Sequence, residues 1–157
     1  MLVFLDIDGV MVPCKSHKLP DFLADGFAAF STAATRTLNR LLSEYNATIM
    51  LTTSHKEKYS LAKWEDIFSK RGIDVTGKIQ SLPANVDHQS RKSELINWFN
   101  LHSPAKDFVI LDDDKGLNDL PRFLKEHLIL TSPYIGLTEN HLSEIDSMVD
   151  TNGQVSY

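Results

Sequence analysis

The chain has 157 residues, 42% hydrophobic and 24% charged, with a net charge of −5; this length predicts one domain, able to bury roughly 70% of its unfolded surface. The acidic balance argues against broad, non-specific binding to nucleic acid, which rests on phosphate neutralisation by Lys and Arg, and leaves only a local basic patch open. Cys14 is the single cysteine, so no internal disulfide forms; with no secretory leader and no run of the ~18 apolar residues that a span needs, a reducing cytoplasm and no membrane are expected.

Leu2 to Ile7 reads as a short buried strand ended by Gly9. Met11 to about Ala29 is irregular, broken by Pro13 and Pro20. Leu38, Leu41, Leu42 and Tyr45 recur at helical spacing and predict a helix from about Thr32 to Tyr45. Ala47 to Leu51 reads as a second buried strand leading into Thr52, Thr53 and Ser54. Lys56 to Arg71 reads as one helix with Leu61, Trp64 and Phe68 inward and Gly72 as its stop. A weak strand follows at Ile79 to Leu82. Ser90 then caps a helix to about His102, with Leu95, Trp98 and Phe99 inward and Pro104 beyond its end. Phe108 to Leu111 is the next clear strand and runs into Asp112, Asp113 and Asp114. Pro121 starts a short helix to about His127, Leu128 to Leu130 is the last strand, and Thr138 to about Val149 the last helix.

Strands alternating with helices predict a Rossmann-like α/β/α sandwich around a mostly parallel sheet of about five strands. Ligands of such sheets bind outside the carboxyl ends of the strands. Asp6 and Asp8, Thr52, and Asp113 all fall at those ends, so residues separate in sequence are expected to converge. Ionised carboxylates at the end of a buried strand are costly unless something compensates them.

These residues carry a resemblance. FLDIDGV resembles the DxDG[TV] signature of the haloacid dehalogenase (HAD)-like superfamily. IMLTTS resembles its second motif, Arg91 or Lys92 its single basic residue, and VILDDD its acidic fourth motif, together spanning about residues 1 to 120. More narrowly, LDIDGV, RKSELINWF, VILDDD and IGLT resemble the HAD domains of Swiss Army knife RNA-repair proteins. Those domains usually carry Trp-Arg shortly after the second motif, where this chain has His55-Lys56.

The resemblance implies a phosphohydrolase. Asp6 would be the nucleophile, forming an aspartyl-phosphate, and Asp8 the general acid and then base. Mg²⁺, a hard cation that prefers oxygen ligands, would be held by Asp6, the backbone carbonyl of Asp8, and Asp113. Thr52 would bond a phosphoryl oxygen and Arg91 would neutralise its charge. Thr53, Lys92 and Gly9 are further candidates for substrate contact, and Asp112 for support of the acidic loop; Asp114 is expected to face solvent. Thr52 is preferred to Thr53 because it ends the apolar run directly, and Arg91 to Lys92 because it falls where the narrower pattern has its basic residue. The second acid, Asp8, favours a metal-dependent phosphohydrolase over the superfamily's dehalogenases, which lack it.

The gaps at 11–29 and 83–90 are too short for the folded cap domains common in the superfamily, so a minimal flap and an open site are expected. An open site admits bulky substrates such as a polynucleotide end or a phosphoprotein segment, and small molecules too. Lys15, His17 and Lys18 in the flap could meet an anion, though a solvated loop explains them equally well. His55 could line the site or lie on a surface loop. Trp64 and Trp98 read as core, Cys14 as a packing residue or bystander, and no stable protein partner is inferable. Two other classes compete with an enzyme. A receiver-like phosphoacceptor would order its Thr, basic residue and acidic pair differently, and a binding module without turnover would not need every residue type found here.

Overall fold

The computed structural model describes residues 1–15, 18–102 and 107–153, with side chains to residue 149; His17 and Pro104 lie outside the described residues. Five strands form one all-parallel sheet: β1 (Leu2–Leu5), β2 (Thr48–Leu51), β3 (Ile79–Ser81), β4 (Phe108–Asp112) and β5 (Leu128–Leu130), in the order β3-β2-β1-β4-β5. The connecting helices are α1 (Thr32–Tyr45), α2 (Leu61–Ser69), α3 (Arg91–Leu101) and α4 (Arg122–Lys125); α5 (Asn140–Gly153) follows β5.

Side chains alternate across the central strands, and the core divides accordingly. Val3 and Leu5 of β1 point to the layer holding Leu38 and Leu41 of α1, Trp64 and Phe68 of α2, and Leu142 and Ile145 of α5. Phe4 points to the other face, where it meets Leu95 and Phe99 of α3 and Leu124 of α4. Two helical layers therefore cover a sheet with apolar residues on both faces, the expected three-layer sandwich. Among the described residues, no helix is long and apolar enough to cross a membrane.

The helix expected from Lys56 to Arg71 is two elements. Thr53 Oγ1 accepts from the His55 amide and opens a 3₁₀ turn over Ser54–Lys58, Tyr59 is extended, and Ser60 caps α2 by accepting from the Lys63 amide. Two capping hydroxyls in eight residues break the helix that the apolar spacing suggests. The break leaves Leu61, expected inward, 42% exposed, while Trp64 and Phe68 are fully buried. Trp98 packs edge-on against Phe4 at 5.1 Å.

Between β1 and α1, residues 21–29 fold back on themselves as a small flap. Phe22 and Ala28 form an antiparallel bridge, and Phe27 and Ala28 are buried. Arg71, just past α2, fixes it. Its guanidinium donates to both carboxylate oxygens of Asp25 (2.7 and 3.0 Å) and to the carbonyls of Phe27 and Ala28.

Candidate active site

The register of the sheet builds the site. Leu5 is aligned with Leu51 on one side and Leu111 on the other. The next residue along each strand, Asp6, Thr52 and Asp112, therefore emerges at one level. Two backbone bonds secure the alignment: Asp6 N–H donates to Leu111 O (3.1 Å) and Thr52 N–H to Leu5 O (3.0 Å). The side chains of Asp6, Asp112 and Asp113 each bring a carboxylate oxygen within 4.8 Å of the others.

Arg91 faces this trio from the first residue of α3. Ser90 caps that helix by accepting from the Ser93 amide, which fixes where Arg91 starts. Its Nη1 lies 2.5 Å from Asp112 Oδ2, 3.5 Å from Asp6 Oδ1 and 3.3 Å from Thr52 Oγ1. Its Nε is buried with no hydrogen bond, 3.8 Å from Glu94 Oε1. Glu94 therefore balances the buried Nε by charge, while Nη1 is the atom turned to the acidic residues.

The electrostatics are strained. Burial pushes the Asp6 carboxyl up to about 8; Asp112 and Asp113 add to the rise, and Arg91 opposes it. Burial also raises Asp112, against the pull of Arg91. For Arg91, burial works against the charge, but Asp112 and Asp6 outweigh it and hold the guanidinium above its ordinary value. Two of the three carboxylates, Asp6 and Asp112, share one guanidinium, and the hard oxygen donors of the trio fit a divalent cation. Asp6, Asp112 and Asp113 thus form a candidate metal site. Asp112, expected only to support the loop, is a full member: β4 runs one residue further than expected and pairs Asp112 with Leu130.

The other expected residues are distributed around this centre. Thr52 contacts Arg91, whereas Thr53 is occupied in capping the 3₁₀ turn. Among the described residues, no hydrogen bond or ion pair joins Lys92 to the acidic cluster. The side chain of Asp8 lies outside the trio, 58% exposed, with its Oδ2 2.8 Å from His55 Nε2. Asp114 is exposed and accepts from the Gly116 amide.

Gly9 sits at φ +80°, and a Cβ there would lie 2.1 Å from Asp113 Oδ2. Only glycine allows the first loop this approach to the fourth-motif carboxylate. The same loop is braced from behind: Thr131 Oγ1 donates to Gly9 O, and Leu137 N–H to Val10 O. Gly136, at φ +75°, lies so close that a Cβ would be 2.5 Å from Val10 O. The IGLT segment is therefore the backing of the first loop.

Sequence reasoning missed the buried pair Lys56–Glu94, 2.9 Å apart with side chains 2% and 10% exposed. Nothing in the composition flags it; the one available cue is a lysine directly after a strand-end polar cluster, four residues before a capping serine.

A three-layer α/β sandwich with an acidic trio at the carboxyl edge of the sheet, flanked by Thr52 and Arg91, defines the HAD-like class. Within that class, the chain belongs to the family of HAD domains in Swiss Army Knife RNA repair proteins, whose family model matches residues 2–142. No curated protein and no solved structure matches significantly.

Proposed function

We propose that this domain is a Mg²⁺-dependent phosphomonoester hydrolase acting through an aspartyl-phosphate on Asp6, with a polynucleotide end as substrate. One observation carries the reading: Asp6 is buried in a carboxylate trio with Arg91 3.5 Å away, while the carboxylate of Asp8, two residues on, is exposed.

The two acids have different environments and therefore different tasks. An oxygen of Asp6 attacks phosphorus as the bond from phosphorus to the leaving oxygen breaks. Asp8 gives its proton to that leaving oxygen. Asp8 then takes a proton from the water that attacks the aspartyl-phosphate, and inorganic phosphate departs as Asp6 is regenerated. Thr52 donates to a non-bridging oxygen, and Arg91 balances the charge that spreads over the phosphoryl group. Asp6, Asp112 and Asp113 would hold the Mg²⁺, with the Asp8 carbonyl as a further donor; the ion supplies charge neutralisation that lets Asp6 react ionised.

The polynucleotide end is supported by the family, whose name places it in RNA repair, and by the short flap in place of a folded cap. The decisive assay is phosphate release from an aryl phosphate with Mg²⁺ and with chelator, beside Asp6→Asn. Metal-dependent release abolished by Asp6→Asn is expected; equal rates in both proteins would reject Asp6 as nucleophile. A panel of 3′- and 5′-phosphorylated oligonucleotides, nucleotides and sugar phosphates then tests the substrate.

A further inference from the structure

A cavity of about 270 Å³ opens directly beside Asp8. The flap supplies one wall, with Phe22 and Phe27, and the turn after β2 the other, with His55, Lys58 and Tyr59. We infer that this cavity is the leaving-group subsite and that it takes the base of the phosphorylated terminal nucleotide, with Lys58 meeting the next phosphodiester. The inference rests on the hydrolase reading above and adds where its substrate sits.

The position follows from the chemistry. The acid that protonates the leaving oxygen must lie within hydrogen-bond reach of it. Asp8 forms part of the cavity wall, so the group attached to that oxygen enters the cavity. The walls then select what that group is. Phe22 is 58% exposed although its backbone is bridged to Ala28 and the flap is fastened by Arg71; its exposure is built in. Phe27 is buried and serves as the floor, holding Tyr59 edge-on at 6.0 Å and His55 edge-on at 5.6 Å. The exposed ring of Phe22 is then the face on which a flat base stacks, with little dependence on sequence. Lys58 is exposed and is the cavity's one lysine or arginine among the described residues, which suits a single backbone phosphate. The volume falls just under the ~300 Å³ at which drug-sized pockets begin, room for one nucleoside and too little for a duplex end.

The test compares phosphorylated trinucleotides with glycerol phosphate, which has no base. The measured quantity is the ratio of the two kcat/KM values in wild type, Phe22→Ala, Lys58→Ala and, as a control, Phe123→Ala, an equally exposed phenylalanine on α4. Wild type is expected to prefer the trinucleotide. Phe22→Ala should lower the ratio about tenfold, the effect of losing one stacked base, mainly through KM. Lys58→Ala should lower it several-fold and reduce the salt dependence, and Phe123→Ala should leave it unchanged. Hydrolysis of glycerol phosphate with no preference for the trinucleotide, or a ratio unmoved in both cavity variants, overturns the subsite and leaves the hydrolase reading standing. Should neither substrate turn over, the hydrolase reading fails, and calorimetric binding of the trinucleotides to Asp6→Asn protein decides the subsite: binding lost in Phe22→Ala supports it, and no binding overturns it.

Discussion

His55 Nε2 and Asp8 Oδ2 lie 2.8 Å apart, and the imidazole is itself held by the core. Its ring meets Phe27 edge-on at 5.6 Å, and Phe27 meets the fully buried Trp64 edge-on at 5.3 Å. An exposed acid on a loop is thereby tied to rigid packing. If Asp8 transfers the proton, His55 is its positioning residue. Asp8→Asn should lower kcat by about 10²–10⁴. His55→Ala should lower kcat by about tenfold with KM nearly unchanged, and the double variant should be no slower than Asp8→Asn alone. Steady-state kinetics on an aryl phosphate measures all three, and additive losses would separate His55 from Asp8.

Gly9 and Asp113 make a second dependence. The 2.1 Å that would separate a Cβ at position 9 from Asp113 Oδ2 forces the carboxylate or the loop aside, and φ +80° adds backbone strain. Gly9→Ala should cost about 1–3 kcal/mol of stability and should also abolish the thermal shift given by Mg²⁺. Asp113→Asn, which leaves the loop undisturbed, should weaken that shift while the denaturation midpoint of the metal-free protein stays within about 1 kcal/mol of wild type. A Gly9→Ala protein that binds Mg²⁺ normally would show that the trio tolerates a displaced Asp113.

The buried pair Lys56–Glu94 ties the turn after β2 to the first turn of α3. Glu94 Oε1 also lies 3.8 Å from Arg91 Nε, so the pair helps fix the arginine that faces Asp6. Breaking such a pair leaves an uncompensated buried charge. Glu94→Gln should destabilise by about 3–5 kcal/mol, and Lys56→Met by less, because Arg91 still faces the Glu94 carboxylate. The combination Lys56→Met with Glu94→Leu should recover much of that loss, because both charges are then gone. Urea denaturation of the three variants measures the effect, and simple additivity of the single losses would count against a direct pair.

Much of this arrangement was readable from residues alone, because it follows from alternation and register. Apolar runs ending in Asp6, Thr52 and Asp112–Asp113, once they are adjacent parallel strands, put those side chains at one edge. Thr52 and Arg91 touch each other, and Thr53 caps a turn, contacts that no spacing in the sequence reveals. What was not readable depends on tertiary fit. The membership of Asp112 turned on how far β4 is paired. The split of the helix expected from Lys56 turned on two hydroxyl caps, which cost little in pattern and outweigh apolar spacing locally. Lys56 reads as a surface lysine until Glu94 is brought to it across 38 residues, and Arg71 reads as a helix-end cation until the flap folds over it.

That last contact carries a pH prediction. The hydrogen bonds from Arg71 hold the Asp25 carboxyl down to about 2, against about 3.9 in an unfolded chain. A depressed carboxylate contributes stability that is fully present above the unfolded value and is lost as pH falls through the folded one. The stabilisation from this pair should therefore be constant above about pH 4 and disappear between about pH 4 and pH 2. Asp25→Asn should remove on the order of 1–2 kcal/mol at pH 7 and flatten that part of the acid limb, measured as urea midpoints across the range. Arg71 also holds the carbonyls of Phe27 and Ala28, which line the cavity beside Asp8. Arg71→Met should thus loosen the flap and raise KM for a phosphorylated oligonucleotide more than for glycerol phosphate. A variant that lost stability yet kept both KM values would make the clamp a folding device alone, with no bearing on how the leaving group is held.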